Sequence, residues 1–254
     1  MSRLRAAVQR RAVLTGIGAG FALGALSQRA AAEARDGTSE SPEAIAILGT
    51  GRYGSTLGKL WSARGHAIHF GSRTPGADRV KALVAACGDK ASASEPKEAT
   101  DRADIVVFAL QWNTAKEMLP SLGDLSGKVI IDPMNALTMV ERYPWPPDIA
   151  TSVAEELQAA LRGAHVVKAF NTPAARSVAD PKRVASPLSI ALAGEDAAAK
   201  RRVARLVQEL GLEPLDVGPL VAARYLEGMM RLSLGYYLYS GKAFEFYLGP
   251  VKSA

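Results

Sequence analysis

The chain has 254 residues, of which 48% are hydrophobic, and this size allows one sizeable core with, at most, a smaller appended domain. Most of its formal charge of +6 comes from five arginines that precede the first acid, Glu33, and the remainder of the chain carries only +1. This distribution argues against a nucleic-acid partner. The single cysteine, Cys87, excludes an internal disulfide.

Residues 1–32 have the composition of a signal peptide, with a basic start, an apolar middle and a small-residue end, Ala30-Ala31-Ala32. The pair Arg10-Arg11 resembles the twin-arginine export signal of bacteria. We therefore expect the twin-arginine export machinery as a partner and a periplasmic or exported protein. The alternatives are a membrane anchor through residues 12–28 and a first helix of the folded domain.

Residues 33–42 are polar and rich in turn formers, which predicts a linker. From Glu43 onward, apolar runs alternate with helix-like segments, a pattern typical of an α/β fold with a Rossmann-type doubly wound parallel sheet. We predict a Rossmann domain over 43–172 and a small C-terminal α/β domain, for substrate or dimerisation, over 173–254. The predicted strands are 44–48, 67–70, 91–93, 105–110, 129–132, 166–169, 188–193 and 213–217, and the predicted helices are 55–64, 78–86, 97–102, 114–122, 152–161 and 196–210.

Three glycines follow the first predicted strand in G-x-G-x-x-G spacing. In a dinucleotide site the first permits a tight turn, the second lets the pyrophosphate approach, and the third lets the helix pack against the sheet. The N–H groups at the helix start then bind phosphate oxygens. A purely structural glycine turn is the alternative, and Arg52 suits either the phosphate or solvent. The predicted contacts of this loop are Gly49, Thr50, Gly51, Arg52, Tyr53 and Gly54.

The second predicted strand ends at Phe70, and Gly71, Ser72 and Arg73 follow where NAD sites typically have an acid. A hydroxyl and a guanidinium bind a 2′-phosphate through charge-assisted hydrogen bonds, whereas a carboxylate repels it. The sequence therefore predicts NADP, with Ser72 and Arg73 at the 2′-phosphate and Arg79 as the next basic residue. A solvated Arg73 is the alternative.

With these motifs the chain resembles the NADP oxidoreductase, coenzyme F-420-dependent family from about residue 44 to about residue 234. The resemblance implies direct hydride transfer between NADPH and a deazaflavin, coenzyme F-420, which needs no catalytic side chain. It also implies contacts of Leu110, Asn135 and Asn171 with the nicotinamide half. The motifs, in the family's order, are ILGTGRYG, GSRTP, ADIVVFAL, GKVIIDPMNAL, VVKAFNT and DVGPLVAARYLE.

Two further residues, Trp112 and Met134, follow the fourth and fifth predicted strands, where ligands bind in such sheets. Both are candidates for the substrate pocket, and Trp112 equally suits a lid or the core. The Asn135-Ala136 pair departs from the family's Asn-Pro, and the insertion-like segment 139–150 follows it. The small-molecule redox acceptor is therefore open between a deazaflavin, a flavin and a ferric chelate, and a non-catalytic NADP-binding scaffold is the alternative from another class.

The apolar segment 220–248 suits a wall of the acceptor pocket, the core, or the interface of a homodimer. Lys168 and Arg224 suit either the acidic tail of a coenzyme or solvent. The three histidines are scattered, and no cysteine cluster is present, so we predict no metal site.

Overall fold

The computed structural model describes residues 41–136, 150–184, 187–244 and 246. The predicted signal peptide, most of the predicted linker and nearly all of segment 139–150 lie outside these residues.

In the described part of the chain, eight strands form one sheet in the order β3-β2-β1-β4-β5-β6-β7-β8. Neighbouring strands are parallel, except that β7 runs antiparallel to β6. The first six strands have the order of a dinucleotide-binding fold, with a switch point between β1 and β4. The strands are β1 Ala44–Leu48, β2 Ala67–Gly71, β3 Ala91–Ser94, β4 Ile105–Phe108, β5 Val129–Asp132, β6 His165–Lys168, β7 Ser189–Gly194 and β8 Glu213–Gly218.

Helices cover both faces of this sheet. Short 3-10 turns lie at Leu119–Ser121, Pro181–Arg183 and Leu220–Ala222. The α-helices are α1 Arg52–Ser62, α2 Asp78–Cys87, α3 Pro96–Asp101, α4 Trp112–Met118, α5 Val153–Ala160, α6 Ala175–Ala179, α7 Ala197–Glu209 and α8 Ala223–Ser240. Within the described ranges, no helix combines the length and hydropathy needed to cross a bilayer.

The central strands are apolar because both of their faces are buried. Along β1, Ile45 and Ile47 pack into the core on one side of the sheet, while Ala46 and Leu48 pack into the core on the other. This division follows from the two-residue period of a strand. A strand covered on both faces needs a continuous apolar run, as the sequence has here.

The α/β fold class with a Rossmann-type sheet is confirmed. The residues expected to form a C-terminal domain contribute β7 and β8 to the same sheet, so the boundary expected at residue 172 lies inside one continuous sheet. The local pattern of these strands predicts their existence but carries no information on which edge they join. Helix α1 begins at Arg52, three residues before the predicted start.

Candidate functional site

The glycine loop between β1 and α1 contains glycines with different structural roles. Gly49 has a φ of +106°, and a Cβ there would lie 2.3 Å from Ala109 O. A Cβ on Gly54 would lie 2.1 Å from Gly49 O, whereas one on Gly51 would meet nothing within 4 Å. Gly49 and Gly54 therefore allow the backbone to pack closely, and Gly51 leaves open the space that a pyrophosphate fills in this type of loop.

Helix α1 presents an uncompensated N-terminus to the same space. Its N-cap residue, Gly51, offers no side-chain acceptor, and its first turn contains no acid. The first N–H groups of a helix have no intrahelical acceptor, and the helix dipole makes this end positive. The loop can therefore bind an anionic group through backbone N–H groups.

A cavity of about 950 Å³ extends from this loop along the carboxyl ends of β1, β2, β4 and β5. Arg79 Nη1 donates to Thr50 Oγ1 at 2.9 Å, which joins the start of α2 to the glycine loop. None of the described residues around this cavity is acidic. Its lining residues include Gly49, Thr50, Gly51, Arg52, Tyr53, Ser72, Arg73, Arg79, Leu110, Met134 and Asn135. We call it the cofactor cavity.

The end of this cavity at β2 suits a phosphate. Ser72 is buried and its hydroxyl accepts a hydrogen bond from Thr74 N at 3.1 Å, so the side chain is fixed in place. The exposed guanidinium of Arg73 has no salt bridge within the described part of the chain. The cationic and hydroxyl groups that the sequence predicts for the 2′-phosphate therefore lie in one acid-free cavity with the glycine loop.

Most of the predicted cofactor residues line the cofactor cavity, and the exceptions are Gly54 and Asn171. Gly54 is buried where α1 approaches the sheet. Trp112, the first residue of α4, lines neither of the two cavities described and is only 8% exposed, packed in the core. The expectation that Trp112 contacts a substrate ring is therefore not supported, and the alternative of a core residue fits.

A second cavity, of about 360 Å³, lies beside the cofactor cavity. Tyr53, Pro133 and Asn135 line both cavities. The other walls come from the residues after β6, the start of α6, α8 and the residues that follow α8, and they are largely apolar. These residues include Phe170, Asn171, Thr172, Arg176, Met230, Ser233, Leu234, Tyr237 and Phe244. We call this space the second cavity.

Tyr53 and Phe170 connect the glycine loop to the end of β6. The hydroxyl of Tyr53 donates to Phe170 O at 2.6 Å. Phe170 has a φ of +63°, which is costly for a residue other than glycine and is found mainly where the surrounding structure fixes the backbone. The ring of Phe170 packs edge-on against Trp61 at 5.8 Å between centroids.

Lys168 and Arg224 have roles other than those the sequence suggested. Lys168 is fully buried and forms ion pairs with Asp132 and Glu227, so it contacts neither solvent nor a coenzyme tail. Arg224 forms an ion pair with Glu155 at 2.7 Å, and it lines neither cavity. Burial raises the pKa of Asp132, and the nearby ammonium of Lys168 opposes this shift.

Neither Asp132 nor Glu227 is among the site residues predicted from the sequence. A signal for them existed, because a charged residue at the end of an apolar strand buried on both faces needs a partner of opposite charge. Both Asp132, in VIID, and Lys168, in HVVK, fit that description. Their third partner, Glu227, lies 59 residues beyond Lys168, and no local pattern connects the two.

Comparison with known proteins supports the resemblance to NADP-dependent oxidoreductases that the sequence motifs predict. Residues 44–136 match the model of a family described as NADP oxidoreductase coenzyme F420-dependent. The chain is also similar to metalloreductase STEAP3 of Rattus norvegicus, with 29% identity over 191 residues. That match covers 75% of this chain and 36% of the relative, so the chain spans about a third of the relative's length.

Solved structures give the same result. A crystal structure described as a proposed F420-dependent NADP-reductase of Arthrobacter sp. FB24 has a TM-score of 0.73 and 29% identity, over 82% of this chain and 100% of that chain. The hypothetical protein SMa0349 of Sinorhizobium meliloti has a TM-score of 0.63 and 29% identity, over 73% of this chain and 90% of that chain. A reductive aminase of Aspergillus terreus, in complex with NADPH and ethyl levulinate, has 20% identity, covers 79% of this chain and 63% of that chain, and shares the fold with a TM-score of 0.57. The resemblance to NADP-dependent oxidoreductases that the motifs predict is confirmed.

Proposed function

We propose that this chain is an NADPH-dependent oxidoreductase that transfers hydride directly between the nicotinamide and a small-molecule redox acceptor. The observation that carries the proposal is the cofactor cavity, in which the glycine loop and the Ser72-Arg73 pair share one acid-free space. The glycine loop binds the pyrophosphate through backbone N–H groups. Ser72 and Arg73, with Arg79 at the loop, bind the 2′-phosphate that distinguishes NADP from NAD.

We propose the second cavity as the acceptor site. Its shared residues, Tyr53, Pro133 and Asn135, support this role because an acceptor there would lie next to the nicotinamide end of the cofactor cavity. When bound, NADPH supplies the hydride, and the protein has to hold the two reacting atoms close together and correctly oriented. The apolar walls formed by α8 exclude water from that contact.

A deazaflavin such as coenzyme F-420 is the acceptor we favour. The family match and the similarity to the Arthrobacter protein support it, and the apolar walls of the second cavity suit a planar ring system. The similarity to metalloreductase STEAP3 supports a metal chelate, such as a ferric chelate, as the alternative.

Two further proposals concern the whole chain. We propose that residues 1–32 direct twin-arginine export to the periplasm.

We also propose that the chain forms a homodimer through α8. Three of its large hydrophobic side chains support this proposal, because Tyr225 and Tyr239 are 76% exposed and Leu232 is 52% exposed.

Calorimetric titration with NADPH and NADH tests the cofactor assignment. We expect wild type to prefer NADPH. Arg73→Ala should weaken NADPH binding about 10- to 100-fold, because a charge-assisted hydrogen bond is lost, and leave NADH binding unchanged. Arg201→Ala removes an exposed arginine of α7 and serves as the matched control. A preference for NADH in wild type, or no binding of either nucleotide, would contradict the proposal.

Turnover with a panel of acceptors tests the reaction. NADPH deuterated at the transferred position should pass its label to the deazaflavin carbon, where the new bond to deuterium does not exchange with water. Faster oxidation of NADPH by a flavin or a ferric chelate would replace the deazaflavin with that acceptor. Tight NADPH binding without oxidation by any acceptor would instead support the non-catalytic scaffold.

A further inference from the structure

A cluster of buried charges lies next to residues 134–136, of which Asn135 lines both cavities. The side chains of Asp132, Lys168 and Glu227 are fully buried. The ammonium of Lys168 donates to Asp132 Oδ2 at 2.9 Å and to Glu227 Oε1 at 2.7 Å. Burying a charge costs several kcal/mol, and well-packed apolar side chains of similar volume often give equal or greater stability. Stability alone therefore does not account for this cluster.

The cluster holds the backbone of residues 134–136. Lys168 uses its third proton on Met134 O at 2.6 Å, and Met134 N donates to Asp132 Oδ1 at 2.8 Å. Ala136 N lies 3.5 Å from Glu227 Oε2. Charged side chains therefore fix the backbone on both sides of Asn135, the residue that borders both cavities.

Asn135 itself is held by a reciprocal pair of hydrogen bonds. Its amide donates to Asn171 O at 3.0 Å, and the amide of Asn171 donates to Asn135 Oδ1 at 3.0 Å. Asn171 also donates to Leu226 O in the first turns of α8, again at 3.0 Å. Arg231, also on α8, donates to Ala136 O at 3.2 Å and lies 3.9 Å from Glu227 Oε2. Residues 134–136 and α8 are thus linked by three routes, through the amides, through Glu227 and through Arg231.

Glu227 also connects this segment to the wall of the second cavity. Its Oε1 accepts a hydrogen bond from Val153 N at 2.8 Å, which fixes the start of α5. The following turns of α8 present Met230, Leu234 and Tyr237 to the second cavity. Residues three, seven and ten positions after Glu227 lie on nearly the same face of a helix. The side chain that holds residues 134–136 therefore belongs to the same helix face as the proposed acceptor wall.

We propose that Glu227, acting through Lys168, is a positioning residue that sets residues 134–136, between the two cavities, relative to the acceptor wall of α8. This inference rests on the proposed function, since those residues would separate cofactor from acceptor. Hydride transfer needs reacting atoms about 3–3.5 Å apart, and a misplacement of about 1 Å can cost roughly 100-fold in rate. Loss of the carboxylate at Glu227 is therefore expected to act on the rate of transfer more than on cofactor binding.

Three full-length variants test this proposal. Glu227→Gln keeps two polar atoms of the same shape but leaves Lys168 without its second negative partner. Glu227→Asp keeps the charge and shortens the reach. Glu155→Gln is the matched control, because Glu155 also joins α5 to α8, through Arg224, and a glutamine there preserves the capping box with Ser152.

Hydrogen–deuterium exchange and single-turnover kinetics provide the readouts. In Glu227→Gln we expect amide exchange at residues 134 and 136 to rise at least tenfold over wild type, with exchange in β1 and β4 unchanged. The single-turnover rate of NADPH oxidation should fall about 10- to 100-fold, while the Kd for NADPH changes less than threefold. Glu227→Asp should recover part of both effects, and Glu155→Gln should show neither.

The outcomes separate this inference from the proposed function. Unchanged exchange at residues 134 and 136 in Glu227→Gln would overturn the inference, as would an equal rise throughout the sheet. If Glu227→Gln does not fold, the exchange and rates of Glu227→Asp decide by the same criteria. If wild type does not bind NADPH, the proposed function fails, and the exchange data alone decide whether Glu227 holds this segment.

Discussion

Gly51 and Gly54 stand three residues apart, and an added methyl group would meet different surroundings at each. Gly51 already has φ and ψ values that alanine adopts, and nothing lies within 4 Å of the new Cβ. We expect Gly51→Ala to keep the free energy of unfolding within about 0.5 kcal/mol of wild type. We also expect it to reduce NADPH affinity at least tenfold, because the methyl group occupies the space proposed for the pyrophosphate. Urea unfolding and calorimetry measure the two effects.

Gly54→Ala should lower the free energy of unfolding more than Gly51→Ala does. Its Cβ would lie 2.1 Å from Gly49 O, and overpacking against backbone typically costs about 1–3 kcal/mol. Gly76→Ala, at an exposed position with open space around it, is the control that should change neither quantity. Wild-type NADPH affinity in Gly51→Ala would show that the pyrophosphate does not lie against this loop.

The glycine loop was predictable from sequence because its constraints are local. Six consecutive residues supply the turn, the open approach and the helix start. Arg79 differs, because its contact with Thr50 spans 29 residues and depends on where α2 begins relative to the sheet. The ion pair of Lys168 with Glu227 spans 59 residues and is set entirely by packing. Sequence patterns therefore predicted the residues of the proposed phosphate end of the cavity and did not predict the buried charges behind residues 134–136.

Strand β1 is linked to helix α7 by an ion-pair cluster at the end opposite to the glycine loop. The carboxylate of Glu43 accepts hydrogen bonds from Arg202, at 2.6 and 3.2 Å, and from Arg205. Burial acts to raise the pKa of Glu43, but the hydrogen bonds and charges of Arg202 and Arg205 outweigh it and hold the pKa below its ordinary value. The side chain is only 10% exposed, so these contacts are partly shielded from solvent.

We expect Glu43→Gln to lower the free energy of unfolding at pH 7 by about 1–3 kcal/mol, the usual value of hydrogen bonds to a charged group. Since the folded-state pKa is depressed, the carboxylate stabilises the fold fully above the unfolded-state pKa, near 4.5. That contribution disappears as the pH falls below 4.5 through the folded-state pKa. The difference between wild type and Glu43→Gln, measured by urea unfolding from pH 7 to pH 3, should therefore shrink in that window.

Glu98→Gln is the matched control for this effect. Glu98 and Arg102 also form a close ion pair, but both side chains are about half exposed. Exposed pairs contribute roughly 0–1 kcal/mol, so this variant should stay close to wild type at every pH. A constant difference between wild type and Glu43→Gln from pH 7 to pH 3 would show that the loss arises from packing and not from the charge.

The elements of the sheet differ in how far the sequence determined them. Strands β1 and β5 have the predicted bounds, because each is a short apolar run between turn residues. The antiparallel direction of β7 was not predictable, since direction depends on the course of the chain after β6 and not on strand composition. Helix α8 was not predicted as a helix, because exposed tyrosines and leucines surround it and hide the one-sided pattern of an amphipathic helix.

The continuous sheet accounts for the position of both cavities. The order of the first six strands reverses between β1 and β4, and the cofactor cavity opens at the carboxyl ends of these strands. Strands β7 and β8 extend the sheet beyond β6, and the chain then returns through α8 to close the second cavity next to the first. The residues after 172 therefore complete the proposed site as well as the sheet.

The described residues that line the two cavities all lie between positions 49 and 244. We expect a chain lacking residues 2–40 to bind NADPH with wild-type affinity and to unfold at the same urea concentration.

We expect Arg10→Lys combined with Arg11→Lys to leave NADPH affinity and stability unchanged in vitro but to keep the chain in the cytoplasmic fraction of cells. The twin-arginine route carries folded proteins, so an exported enzyme would leave the cytoplasm with its dinucleotide already bound. Immunoblots of periplasmic and cytoplasmic fractions, with the Arg3→Lys and Arg5→Lys pair as the control for basic charge, measure the effect. Equal periplasmic levels of wild type and the Arg10-Arg11 variant would rule out twin-arginine export. Recovery of wild type in the membrane fraction after carbonate extraction would instead support the membrane anchor through residues 12–28.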